Sequence, residues 1–382
     1  MKRWRAAVAL GAAFAATFLF VRPSHAMPVF AQAYGENCEV CHTAVPALNA
    51  YGRYVQRTGY ASLDPSTIHR AYPVWFSEIP YYDSEDPNFP HSIQTGNLTV
   101  HAAGYIGDDW TFHAQQWITS GDEPGFTDTF WVTYNNLFHR DGHLFLGKVE
   151  DADPSPYSQW FELAGFAGNN MTTGEHAYEI GANRWGAKFS YTHDWIVAEA
   201  AYLGNNGNFN TATDWSSDTD KSFDWRAAYA PPDVPFEVGV YGSDGSFPIS
   251  DGTFDHYHAF AAYGEMDPMG KMPGIFTYYQ SGHDPDPGPG LPASWSHATS
   301  IDVFEPFFKQ RVMLGLRQDY GDDGFDNSTH EANIDVEWLA VRQVSDRNAT
   351  GLMFNAEDVL SPGAGPDWRY QLWYATTIGP LH

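Results

Sequence analysis

From about residue 72 onward, apolar and polar residues alternate with period two, which predicts strands with two unlike faces. Around 309–319, Val312, Leu314 and Leu316 share one face, while Arg311, Met313, Gly315 and Arg317 share the other. The division returns where Ile334, Val336 and Trp338 alternate with Asn333, Asp335 and Glu337, and where Trp368, Tyr370 and Leu372 alternate with Arg369, Gln371 and Trp373. A half-buried soluble sheet shows the same alternation. The connections separate the two readings. Short turns are expected at 107–109, 140–142, 193–194, 231–234, 267–270, 305–307 and 345–346. Longer polar connections are expected at 80–93, 119–127, 150–177, 204–222, 243–253, 281–295, 319–329 and 356–366. Short and long alternate along the chain, as in outer-membrane barrels with tight periplasmic turns and long outer loops. The predicted fold is all-β, an antiparallel outer-membrane β-barrel of about sixteen strands. A soluble β-sandwich is the competing architecture. Trp110, Trp131, Trp195 and Trp225 are among the candidates for the aromatic girdles, with the lumen wall as the alternative place for some of them.

Ahead of the strands the period changes. Val45, Leu48, Tyr51 and Val55 recur at three- and four-residue steps, predicting a helix with one apolar face, and Pro46 suits its first turn. Earlier still, Lys2, Arg3 and Arg5 precede an apolar run at 6–21 and a turn-forming Arg22-Pro23-Ser24-His25-Ala26. This is the form of a secretory signal cleaved after Ala26. The alternative, a membrane anchor, needs roughly 20 apolar residues, more than the run supplies. Three regions are expected: a signal peptide at 1–26, a small helical module at 27–70, and the barrel at 71–382.

Charge narrows the partners. The chain carries 20 Lys and Arg against 47 Asp and Glu, and removal of Lys2, Arg3, Arg5 and Arg22 with the signal makes the balance more acidic still. Nucleic acid is excluded as a partner, and cations or cationic proteins are favoured. Acidic residues gather in the expected outer loops, among them Asp83, Glu85 and Asp86, then Glu150, Asp151 and Asp153, then Asp319, Asp322, Asp323 and Asp326. They would concentrate divalent cations electrostatically, or simply be solvated. Asp335 and Glu337 are expected on the lumen face, where pairing with Arg311 and Arg317 is favoured over guiding cations.

The chemistry-bearing motif is Cys38-Glu39-Val40-Cys41-His42, which holds the only two cysteines of the chain. Two thiols three apart, followed by histidine, match covalent attachment of one c-type haem: the sulfurs add to the vinyl groups and His42 reaches the iron. A disulfide or thioredoxin-like pair is the other reading; it leaves His42 unexplained and lacks its βαβ context. A second axial ligand would come from the module, where Met27 and His69 carry suitable atoms and His69 is favoured, or from the barrel, where His101, His113, His256, His258, Met171, Met266, Met269 and Met272 are among the candidates. The chain shows no phosphate-binding glycine loop, no zinc-binding H-E-x-x-H and no nucleophile elbow.

Beyond the cysteine motif, Met27-Pro28-Val29-Phe30-Ala31, Tyr34-Gly35, Pro46-x-Leu48-Asn49-x-Tyr51-Gly52-Arg53 and Thr58-Gly59-Tyr60 resemble the N-terminal module of the outer-membrane cytochrome-porin fusions of iron-oxidising bacteria. The resemblance is close over the first stretch after the signal and extends over the rest only as a barrel of similar length. It implies an outer-membrane electron conduit that takes electrons from extracellular ferrous iron, or another cationic donor, and passes them through one haem to a periplasmic carrier. A single macrocycle on the periplasmic surface would leave most of an apolar band about 25 Å tall uncrossed, so the module is expected to enter from the periplasmic side and plug the lumen. If the protein is an enzyme, it is an iron-oxidising oxidoreductase. Two alternatives remain: a solute-conducting porin with a structural or gating haem plug, and a soluble periplasmic cytochrome with a β-rich partner domain.

Overall fold

The computed structural model describes residues 34, 40–43, 48–64, 66, 74–78, 81–83, 93–94 and most of 98–378. Within that last span it leaves out 121–122, 153–169, 174–175, 180–182, 205–220, 232–233, 249–253, 286–291, 309–311, 323, 325–327, 345–347 and 361–366. The expected signal peptide, Cys38 and His69 therefore lie outside the described residues.

One antiparallel sheet of eighteen strands dominates. Its run begins with β1 (Val74–Glu78), β2 (Leu98–Ile106), β3 (Trp110–Trp117), β4 (Thr127–Leu137) and β5 (Gly142–Val149). It continues through β6 (Arg184–His193), β7 (Ile196–Gly204), β8 (Lys221–Tyr229), β9 (Phe236–Pro248) and β10 (Phe254–Met266). It ends with β11 (Gly274–Asp284), β12 (Ser294–Phe307), β13 (Val312–Asp322), β14 (Ser328–Val344), β15 (Asn348–Leu360) and β16 (Asp367–Ile378). Each pairs with the strand before it, and β16 also pairs with β1, Phe76 opposite Ile378. Two short pieces, Tyr81–Asp83 and Ile93–Gln94, complete the sheet.

Between the described strands the connections alternate short and long as expected, with some ends displaced. The turn expected at 305–307 falls beyond Phe307, because β12 runs straight through Pro306, which stands opposite Met313. Proline lacks only a donor, so a ladder tolerates it where that donor is not used. Likewise β9 extends to Pro248, shortening the connection expected from 243. Tight turns carry backbone that favours glycine: Gly107, between β2 and β3, sits at φ +71.

Burial along the strands is inverted relative to a soluble protein. On β13, Met313, Arg317 and Asp319 are buried, while Leu314, Leu316 and Tyr320 are exposed. The same holds on β8, where Ser222, Asp224 and Arg226 are buried and Phe223 is exposed, and on β9, where Glu237 and Ser243 are buried and Val238 is exposed. A soluble sandwich needs the reverse, since exposing apolar rows to water while burying carboxylates opposes the hydrophobic effect and adds desolvation cost. Apolar-out and polar-in is the pattern of strands in lipid. Rings flank the tight turns on the exposed side: Trp110 lies 5.0 Å from Tyr134, and Trp195 5.2 Å from Tyr229, between ring centroids. Trp131 is instead buried, which places it with the wall-lining tryptophans rather than the girdle.

Before the sheet, Ala50–Arg57 forms the helix α1. Asn49 caps it, its side chain accepting from Gly52 N at 2.9 Å, and of the apolar face expected through Tyr51 and Val55 only Val55 turns inward. Gly52, Arg53, Val55 and Arg57 are buried, whereas Tyr51 is exposed.

Candidate functional site: an arginine-bearing helix against the buried face of the sheet

Helix α1 meets strands more than a hundred residues away through charge. Arg53 Nε lies 2.5 Å from Glu265 Oε1 on β10, and its Nη1 donates to Asp267 Oδ1 at 3.0 Å. Asp267 Oδ2 also accepts from the Ala50 backbone N–H at 2.8 Å, so one carboxylate grips both the start of the helix and its first arginine. Negative charge at a helix N-terminus is stabilising in itself. One turn later Arg57 Nη1 donates to Glu237 Oε2 at 2.7 Å. Glu237 also binds Arg226 and accepts from Tyr263 Oη at 2.7 Å, and Arg226 reaches Glu199 at 3.4 Å. Arg53, Arg57 and Arg226 thus face Glu199, Glu237, Glu265 and Asp267 in a nearly dry cluster. Burial works against the Arg53 charge, but Glu265, Asp267 and Glu237 outweigh it and hold its pKa above the ordinary guanidinium value.

The segment after the helix docks on the same buried face, against β2 to β5. Gly59 O accepts from Thr111 Oγ1 at 2.5 Å, and Tyr60 O accepts from Tyr105 Oη at 2.9 Å. Tyr105 Oη also donates to Leu63 O. The Tyr60 ring packs 5.3 Å from Trp131 and 5.9 Å from His113, and Trp131 lies 5.1 Å from Phe145. Burial drives the Tyr60 phenol well above its usual pKa, so it stays protonated and its contact with His113 Nδ1, at 3.3 Å, is a neutral hydrogen bond. Gly59 has φ +53, and a Cβ there would lie 2.9 Å from Thr133 Oγ1; glycine is favoured on both counts.

The described part of the cysteine motif adjoins this helix. Cys41 O accepts from Asn49 N at 2.9 Å, His42 bridges to Leu48, and Asn49 Nδ2 donates to Val40 O at 3.1 Å. A Cβ on Gly52 would sit 2.0 Å from Cys41 O, so only glycine lets the motif lie this close to the helix. His42 is buried and Cys41 half-buried. Of the expected site residues, Cys41 and His42 are therefore placed together at the start of α1, while Cys38 and His69 lie outside the described residues. Cys41 and His42, adjacent on a backbone held by three contacts, would suit one of the two thioether links and the axial imidazole of a covalently bound haem.

The other candidate ligands sort by face. His101 and His113 lie on strands β2 and β3 in the rows of buried Ala103 and Thr111, on the helix side. His256 and His258 are exposed on the opposite face of β10, and Met269 and Met272 are exposed in the turn after it, which removes these four from the helix side. The side chain of Met171 lies outside the described residues.

Some acidic residues also move. Asp151, expected in an outer loop, is buried and accepts from Tyr241 Oη at 3.0 Å, with Arg184 at 3.7 Å. Asp319 is buried on β13 and accepts from Arg317 Nε at 2.7 Å. Arg317 thus has a partner on its own strand, and the register sets it opposite Asn333 rather than Asp335. Spacing signalled none of the contacts between α1 and the sheet; only the two arginines at i and i+4, in a helix otherwise poor in charge, hinted at them.

No family model and no curated protein matches this chain. Solved structures do. The chain is similar to an anion-selective porin from Comamonas acidovorans at 12% identity and TM-score 0.54, over 81% of this chain and 99% of that one. It is similar to the outer membrane channel DcaP of Acinetobacter baumannii at 11% identity and TM-score 0.51, over 80% and 96%. A loop-deleted OmpT, an outer membrane protein of Vibrio cholerae, matches at 13% identity and TM-score 0.50, over 81% and 98%. The fold is that of outer-membrane porins. At these identities the likeness concerns fold alone.

Proposed function

We propose that this protein is an outer-membrane electron-transfer conduit, a closed barrel whose lumen is plugged by an N-terminal module carrying one covalent haem c. Setting aside the short pieces at Tyr81–Asp83 and Ile93–Gln94, the eighteen-stranded sheet reduces to the run β1–β16, and pairing of β16 with β1 supports closure. Inverted burial supports placement in lipid. On this reading the buried face is the lumen wall and α1 lies inside it. Cys38 and Cys41 would hold the haem and His42 would ligate its iron, with His69 or one of His101 and His113 as the second axial ligand. When bound, that group supplies reversible one-electron chemistry. The observation that carries the proposal is the tether: the Cys41–His42 backbone is locked to α1, and α1 is locked by Arg53 and Arg57 to Glu265, Asp267 and Glu237. A motif so fixed keeps a constant distance from the wall, as an electron path across the apolar band requires. The donor is an extracellular cation, ferrous iron in the favoured case, and the acceptor is a soluble periplasmic carrier.

Similarity to porins favours a second reading, a solute channel in which the module is a structural or gating plug. Stopped-flow absorbance after adding ferrous iron to purified protein separates them. The conduit predicts a pyridine-haemochrome spectrum and haem reduction faster than in a control c-type cytochrome, both lost in Cys38→Ala/Cys41→Ala. Haem that stays oxidised in a protein giving steady solute conductance in planar bilayers would establish the channel instead.

A further inference from the structure

Methionine is concentrated at one turn. Of the eight methionines in the chain, Met266, Met269 and Met272 fall together between β10 and β11, so thioether sulfur is dense here and sparse elsewhere. Met266 stands in the ladder between Phe236 and Ile275 and is half-buried there. Met269 and Met272 stand beyond it. They exchange both backbone hydrogen bonds, Met269 N to Met272 O at 2.9 Å and Met272 N to Met269 O at 3.0 Å, across a loop made of Gly270 and Lys271 alone. Gly270 takes φ +66, the backbone such a loop asks of its first residue. Directly opposed residues that exchange both bonds put their side chains on one face, with Cα atoms about 5.5 Å apart. The two thioethers therefore leave the hairpin side by side. They are 49% and 45% exposed, whereas Met313 on β13 is 1% exposed and packed among rings. Lys271 between them is exposed as well, so the pair faces water, and Asp267, the carboxylate nearest along the chain, is committed to Ala50 and Arg53.

We propose that Met269 and Met272 form a binding site for a soft monovalent metal ion, Cu(I) being the biological example, at the tight turn between β10 and β11. Thioether sulfur is neutral and polarisable, and it takes Cu(I) in preference to the hard divalent ions that suit carboxylate and water. It has no proton to lose, so the site stays open in acid as well as at neutral pH. The hairpin sets both stems in place before an ion arrives, which limits the ordering lost on binding. The exposure of both residues leaves water able to complete the ion's coordination. The site draws nothing from the cysteine motif, and it stands or falls separately from the electron conduit.

The test uses the full protein in non-ionic detergent, with isotopically labelled methionine methyl groups followed by NMR and Ag+ as a probe of the same softness that cannot reduce a haem. Ag+ should shift two methyl resonances together, assigned as those lost in Met269→Leu and in Met272→Leu, while Mn2+ and Zn2+ shift neither. In either single variant the remaining methyl should titrate with roughly tenfold weaker affinity, one of two sulfur donors having gone. Leucine is close to methionine in volume, so both variants should keep heat-modifiable gel migration, the mark of a folded barrel. Ag+ taken up by any free thiol is common to all three proteins and leaves these two resonances alone. Methyl groups that Ag+ does not move, equal shifts with Zn2+, or a remaining methyl that titrates with wild-type affinity overturns the site; the first is the result expected of a pair that only lies against lipid or detergent.

Discussion

The segment 50–63 is held at two seats of opposite chemistry. On one side Arg53 and Arg57 enter a cluster of carboxylates on β9, β10 and the turn after it; on the other, Gly59 and Tyr60 rest on hydroxyls and rings of β2 to β5. A buried charge network contributes little net stability over an apolar one but is costly to break, because a lone charge stays behind in a dry site. Ring packing contributes in proportion to what it covers and has no comparable threshold. The charged seat therefore sets where the helix sits, and the aromatic seat supplies much of the adhesion.

The largest effect should come from breaking the charged seat on one side only. Glu237→Ala leaves Arg57 and Arg226 without their shared partner, and should weaken docking of the segment by about 3–5 kcal/mol. Trypsin cleavage after Arg53 in folded protein would report it. Arg57→Met/Glu237→Met together should cost far less than the single change; equal cleavage in both variants would show that the charges merely accompany docking. Trp131→Ala should cost about 3 kcal/mol by removing the ring under Tyr60, read as a lower denaturant midpoint for protection of the segment. Its effect should not depend on salt, and a strong salt dependence would erase the contrast between the seats. Gly59→Ala comes last, at about 1–2 kcal/mol, since the left-handed backbone and the approach to Thr133 both resist a Cβ. An unchanged midpoint there would mean that this turn relaxes freely in solution.

Legibility differed in the same way between local and remote features. Strand alternation was readable because side chains alternate faces every residue, and turn lengths were readable from Gly, Asp and Asn clusters such as Gly107-Asp108-Asp109. Proline misled at Pro306, whose turn propensity lost to a ladder that did not need its donor. Helical spacing located α1 and placed Val55 inside, but it put Tyr51 there too and missed the buried side shared by Arg53 and Arg57. Arg53 and Arg57 look like solvated residues until Glu265, Asp267 and Glu237 are known to stand opposite. The carboxylates Asp151 and Asp319 went astray similarly, as loop acids that prove to be buried partners of Tyr241 and Arg317.

By itself, the order of residues determined the strand period, the rhythm of short and long connections and the adjacency of Cys41 and His42, all set by steric and hydrogen-bonding rules spanning a few residues. The tertiary structure alone decided which face of the sheet holds the charges, which carboxylate meets which arginine, and that a Cβ at Gly52 or Gly59 meets a neighbour. Such pairings depend on strand register and on the approach of segments some two hundred positions apart, as between Arg53 and Glu265, and no local pattern encodes that distance.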